Sequence, residues 1–343
     1  MKNLFLPLAT MLIAALISSG CTVSGEKTST SQPTKIIFET DMGNDVDDAL
    51  ALDMLYKYQE AGLIDLLLVS SNKTDSCAVE FIKLMNDFYN HSNIPVATMP
   101  FDSLPPLDNH PTYVEKTMRS GKFKEIEGVP TYNSVNKYRE ILASQPDSSV
   151  VIVSVGFSTN LKWLLQSQPD SYSQLSGKEL VAKKVKLLSV MAGSFDGRNR
   201  SEFNVIIDVP SAQYLFENWP TDAIVSPWET GAQIFFKAED LAKITYVEPH
   251  PMKVGYEAYL PMPYDRECWD ETSVIAAIEG VDKWFSCSSR GDITVNDKGV
   301  TTFSPNQDGL YRIITVDSIQ AKNVADYITS LVLQTPQAWQ STD

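Results

Sequence analysis

Histidine, cysteine and positive charge are all scarce in this chain. Its 343 residues include three histidines, His91, His110 and His250, and four cysteines, Cys21, Cys77, Cys268 and Cys287. The histidines show no metal-ligand spacing, which argues against a zinc site. The cysteines are too few and too scattered for a disulfide framework, even in an oxidising compartment. Lys and Arg number 28 against 43 Asp and Glu, for a formal net charge of −15. A surface of that sign argues against nucleic-acid binding. No Gly-rich loop ending in Gly-Lys-Ser/Thr is present to cradle phosphates.

The one sustained apolar run, Leu4 to Ile17, follows Lys2 and ends in Ser18-Ser19-Gly20-Cys21. It is too short to span a bilayer as a mature helix. Small residues before a cysteine resemble a bacterial lipoprotein cleavage site, so residues 1–20 read as a signal peptide and Cys21 as the acylated N-terminus. Residues 21–33 are polar and repetitive and suit a flexible tether. These features predict a lipid-anchored protein of the cell envelope, exported across the inner membrane. Loss of residues 1–20 removes one charge, Lys2, and leaves about −16. Residues 34–343 then form one α/β domain, since no internal linker is evident.

Within that domain, apolar runs of strand length alternate with helical segments. Ile64–Ser70, Val150–Val155, Val185–Val190 and Ala223–Val225 read as buried strands; Ala78–Tyr89 and Ser211–Asn218 read as helices. The pattern predicts an open, mostly parallel sheet with helices on both faces. Ligands of such sheets bind beyond the carboxyl ends of the strands. Polar residues collect there: Asp41, then Ser70-Ser71-Asn72, Ser158-Thr159-Asn160 and the turn Met191-Ala192-Gly193.

The most informative segment is Glu39-Thr40-Asp41-Met42-Gly43-Asn44-Asp45-Val46-Asp47-Asp48-Ala49. Asp41, Asp45, Asp47 and Asp48 repel one another, and helix capping accounts for one or two of them. A helix N-terminus or a hard cation bound through oxygen would compensate the rest. An EF-hand does not fit, because Val46 and Leu52 fall where its loop needs Gly and Glu. Further on, Asp270 opens another helical segment, either as an N-cap or as a further oxygen ligand.

This segment resembles the opening Asp-x-Asp-x-Gly-x-Asp-Asp-Ala of the inosine–uridine nucleoside hydrolase family. Glu39 replaces the first Asp, and the loop is two residues longer. Aligning Asp41 with the central Asp, and Asp47-Asp48 with the pair, leaves Asp45 surplus; Asp45 in place of Asp47 stays open. Colinear matches follow at Ser71-Asn72, Gly156-Phe157-Ser158-Thr159-Asn160-Leu161, Met191-Ala192-Gly193, Glu202-Phe203-Asn204 and Asp208 to Ala212. Trp269-Asp270 falls where the family often has His-Asp. The resemblance runs from about residue 34 to 335.

It implies a Rossmann-like nucleoside hydrolase fold and Ca²⁺-dependent cleavage of ribonucleosides to ribose and base. The Ca²⁺ ligands would be Asp41, Asp48, the backbone carbonyl of Thr159, and Asp270. Asp41 would double as general base. Asp47, Asn72, Glu202 and Asn204 would hydrogen-bond the ribose, and Asn199 the 5′-hydroxyl. The family's pyrimidine-active members carry a His at the position of Trp269, so the indole points to a purine, by stacking or by packing alone. The partner is then a small nucleoside; a homo-oligomer stays open. The alternatives are a non-catalytic lipoprotein that keeps the fold and metal, and a hydrolase of another N-glycoside.

Overall fold

The acidic turn stands at the middle of a sheet whose strands run the same way on either side of it. The computed structural model describes residues 1, 32–100 and 112–340. The rest of the expected signal, Cys21 and the tether to residue 31 lie outside the described residues. The fold below is that of the unit Pro33–Asp343.

The strands in chain order are β1 Thr34–Thr40, β2 Ile64–Ser71, β3 Val96–Thr98, β4 Thr131–Asn133, β5 Val150–Ser154, β6 Val185–Met191 and β7 Ala223–Ser226. They lie in the order β4-β3-β2-β1-β5-β6-β7, followed by Tyr311–Thr315, and every pair in that series is parallel. Beyond Tyr311–Thr315 the sheet ends in an antiparallel hairpin, Gly291–Val295 with Thr301–Pro305. The chain winds outward from β1 in both directions, so the crevice between β1 and β5 is the topological switch point.

The alternation of β1 explains the layers. Ile36 and Phe38 enter one apolar cluster, with Leu50 and Met54 of helix Asp47–Glu60 and Val274 of helix Asp270–Ile278. Ile37 enters the other, with Leu142, Leu161 and Leu215 from helices on the opposite face. Ile36, Ile37 and Phe38 are fully buried, and each contributes about 1.5–3 kcal/mol by leaving water. The expected mostly parallel sheet with helices on both faces is what the chain forms.

Strand register then aligns the ends. Thr40 pairs with Ser71, Glu39 with Ser154, and Met191 with Ser226. The residues that follow, Asp41, Asn72, Val155 and Pro227, therefore leave the sheet along one rim. Among the described residues no helix is long and apolar enough to cross a membrane, and Cys77, Cys268 and Cys287 are free thiols.

Candidate active site

A cavity of about 290 Å³ opens on this rim. Asp41, Asn44, Asp45, Asp47 and Asp48 reach it from the turn after β1. Val155 comes from the end of β5, Met191 from β6 and Trp228 from just beyond β7. Glu202, Phe203 and Asn204 form another wall, and Tyr259, Trp269 and Asp270 the last.

Two helix N-termini converge on the acidic floor. Asp47 and Asp48 begin helix Asp47–Glu60, and Asp270 begins helix Asp270–Ile278. Asp270 is the first helical residue rather than the N-cap, which is Trp269. The cap for that helix comes from the other one: Asp47 Oδ2 accepts the N–H groups of Trp269 at 3.1 Å and Asp270 at 3.3 Å. Thr40 donates its hydroxyl to Asp48. Both helix dipoles present their positive ends to carboxylates, the favourable sense.

That compensation falls short. Oxygens of Asp47, Asp48 and Asp270 all lie within 4.8 Å of one another, and all three residues are buried. Burial raises the Asp47 carboxyl to about 7, with the two helix N–H groups opposing and the Asp41 charge adding. Burial, then the charges of Asp41 and Asp47, push Asp48 well above the usual range. Asp270 is raised likewise, by burial and then by Asp47 and Asp48. Asp41, 5 % exposed, rises to about 6 through burial, against a hydrogen bond from Asn44 and the charge of Lys73. The cluster is a buried, oxygen-only donor set whose negative charge the described residues do not balance. Such a set fits a hard divalent cation. No His or Cys lines the cavity among the described residues.

The wall opposite is polar at its base. The Glu202 carboxylate accepts the N–H groups of Gly193 at 3.0 Å and Asn204 at 2.8 Å, which fixes it, while burial lifts it to about 7. The Asn204 amide donates to the carbonyls of Val155 and Met191, at 3.0 and 3.2 Å. Higher up the cavity turns aromatic. Trp228 and Trp269 stand 6.4 Å apart at 32°, and the Trp269 indole N–H is occupied by the Trp228 carbonyl at 2.8 Å. Gly231 makes that packing possible, because a Cβ there would sit 2.4 Å from Trp269 Cδ1. Asp45 holds Arg266 in a two-pronged ion pair, Nε to Oδ1 at 2.7 Å, and the guanidinium lies over the Trp269 ring, 4.8 Å from its centre.

Three expected site residues do not line the cavity. Asn72 is fully buried beneath it, donating to Glu39 at 3.1 Å and to the Phe157 carbonyl at 2.8 Å. Strand alternation sends Glu39 below the sheet end, where Tyr138 and Ser154 also bond it. Thr159 starts helix Thr159–Gln166 and turns its hydroxyl to Asp208 at 2.6 Å; Val155 is the residue that this segment brings to the wall. Asn199 is exposed, in a left-handed conformation with φ 53°, and lines a separate pocket with Ser194, Phe195 and Thr301. The cluster also contains Asp47 where Asp41 was expected, although Asp41 lines the same cavity. Lys73, Asn44, Val155, Trp228 and Tyr259 were not anticipated from the sequence. Position at a strand end was the available signal for Lys73 and Val155.

The family profile described as "Inosine-uridine preferring nucleoside hydrolase" matches residues 36–318. The chain belongs to this family. It is accordingly a nucleoside N-ribohydrolase, and the expected resemblance holds over the whole sheet. Among solved structures it is similar to an inosine-guanosine nucleoside hydrolase, with 15 % identity and a TM-score of 0.68 over 87 % of this chain and 98 % of that one. An inosine-uridine preferring nucleoside hydrolase from Bacillus anthracis matches at 17 % identity and a TM-score of 0.65, over 88 % and 99 %. A purine-preferring ribonucleoside hydrolase from Gardnerella vaginalis matches at 15 % and 0.64, over 87 % and 99 %. At these identities the likeness is one of fold. No curated protein matches the chain in sequence.

Proposed function

We propose that this nucleoside hydrolase is Ca²⁺-dependent and purine-directed. The observation that carries the proposal is the juxtaposition of the Asp47–Asp48–Asp270 cluster with the Trp228–Trp269 wall in one cavity. Cleavage of a ribosyl N–C bond passes through an oxocarbenium-like sugar. Asp48 and Asp270 would hold the cation, with Asp47 or Asp41 completing the carboxylate set. Bound there, Ca²⁺ would supply acidity to a water molecule and grip vicinal hydroxyls. Asp41, at the edge of the cluster, takes the water's proton as general base; its elevated pKa suits that task near neutral pH. Glu202 and Asn204, each fixed by backbone partners, face the sugar. Asp47 or Asp45 adds a further sugar contact.

The aromatic wall supports a purine. The Trp269 N–H is already bonded and Arg266 lies over one face of the ring, so what the residue offers a base is the ring surface that lines the cavity, and indole has no proton to give a departing pyrimidine. Fused purine rings gain more from such a surface and leave without a strong acid more readily. The test is turnover of inosine, guanosine, adenosine and uridine by the full chain with Ca²⁺ and with chelator. Purine cleavage that chelation abolishes is the expected result. Uridine as the best substrate removes the purine reading, and stoichiometric zinc without calcium removes the cation.

We also infer an envelope location, with Cys21 acylated. Intact mass of the native protein tests it: a mature chain starting elsewhere, or starting at Cys21 without added acyl mass, rules the anchor out. The motif and the polar stretch after it support this reading.

A further inference from the structure

The loop between β1 and helix Asp47–Glu60 runs over residues 41–46. Besides Asp41 it carries two polar side chains, and each is engaged differently. Asp45 holds Arg266. Asn44 lies between an ammonium and a carboxylate: its oxygen accepts from Lys73 Nζ, and its amide donates to Asp41 Oδ2 at 2.9 Å. Lys73, directly after Asn72 at the end of β2, is only 4 % exposed, with the Asp75 carboxylate 4.0 Å from Nζ. A buried ammonium is costly unless its partners repay the lost hydration. Gly43, at φ 116°, makes the turn that precedes Asn44, and a Cβ there would stand 2.8 Å from Val114 Cγ2.

We propose that Lys73 and Asn44 form a positioning relay for Asp41. The ammonium fixes the Asn44 carboxamide, which can then offer only its amide N–H to Asp41. That bond holds Oδ2 and with it the orientation of the Asp41 carboxylate in the cavity wall. Lys73 acts through Asn44 and touches no substrate. The relay rests on the reading of Asp41 given above.

Three variants of the full chain test it by calorimetry with Ca²⁺ and by nucleoside turnover. Asn44→Ala leaves every charge in place. It should weaken Ca²⁺ binding and lower kcat on the order of tenfold each, the usual scale for an outer-shell partner, with a smaller change in KM. Lys73→Met should lower kcat by a similar factor. The double variant should be no worse than the worse single one, because breaking either link already frees Asp41. Lys73→Arg, which returns a donor to Asn44, should recover part of the loss. Additive losses, or an Asn44→Ala protein with unchanged Ca²⁺ affinity and kcat, overturn the relay and leave the hydrolase reading standing. A wild-type protein that binds Ca²⁺ and cleaves a nucleoside, yet loses nothing on Asp41→Asn, overturns the role of Asp41 and the relay with it.

Discussion

Helix Asp47–Glu60 carries two buried acidic regions little more than one turn apart, and the protein treats them in opposite ways. Asp53 is fully buried and paired with Lys57 at 2.9 Å. Tyr89 donates to Asp53, and Lys57 reaches the Val332 carbonyl near the end of helix Ser318–Val332. Burial raises the Asp53 carboxyl, and Lys57 and Tyr89 oppose it. Asp48 suffers the same burial, but the charges of Asp41 and Asp47, of its own sign, outweigh that of Lys73. One region is paired charge for charge within the chain; in the other one ammonium faces several carboxylates. A carboxylate balanced by its own fold ties helices together, whereas one left unbalanced is poised for a ligand.

The sharpest way to break the comparison is to remove one carboxylate from each region. Asp48→Ala should abolish Ca²⁺ binding and turnover while leaving the chelated protein at least as stable as before, since like charges are being thinned. Calorimetry, kinetics and denaturant unfolding read the three quantities. Asp53→Ala should do the reverse, costing about 3–5 kcal/mol of stability by stranding a buried Lys57 while Ca²⁺ binding persists. Equal destabilisation by both substitutions would erase the distinction.

A smaller effect is expected from pH. The carboxyls of Asp47 and Asp41 are raised from an ordinary 3.8 to about 7 and about 6. The folded protein therefore binds more protons than the unfolded chain between these values. Their contribution to stability is full below about pH 4 and is lost as pH rises toward 7, by about 1.4 kcal/mol per carboxyl for each pH step of one across that window. In chelator, the unfolding midpoint should fall between pH 5 and pH 7, and excess Ca²⁺ should flatten that fall. A midpoint that rises over the same range contradicts the unbalanced cluster.

The parallel sheet was legible because β1, β2, β5, β6 and β7 are apolar runs bounded by turns and helices. β3 and β4, three residues each, are too short for any periodicity, and nothing in the sequence pattern located the antiparallel hairpin at 291–305. In the site, the run of aspartates pointed to the acidic cluster, and the family resemblance to Glu202 and Asn204. Neither could say which side of a strand end faces the cavity, so Asn72 and Glu39 lie away from it while Asp41 lines it. Lys73 was missed because a lysine after a strand reads as solvated. Trp228 and Tyr259 come from distant segments that only the fold brings near.

The smallest expected change lies in substrate choice. Trp269→His should raise the ratio of uridine to inosine turnover by roughly tenfold, short of the 10²–10⁴ that a well-placed acid supplies. Relative kcat/KM values for the two nucleosides check it. An unchanged ratio would assign Trp269 to packing rather than to the base.

The contact between Gly231 and Trp269 sets how closely two distant segments of main chain approach. A Cβ at 231 would stand 2.4 Å from Trp269 Cδ1 and 2.5 Å from its Cα. The second of these is backbone, so a smaller side chain at 269 would not make room. Gly231→Ala should therefore be poorly tolerated whatever residue stands at 269, and the glycine is a fixed spacer that determines how far the aromatic wall is drawn in.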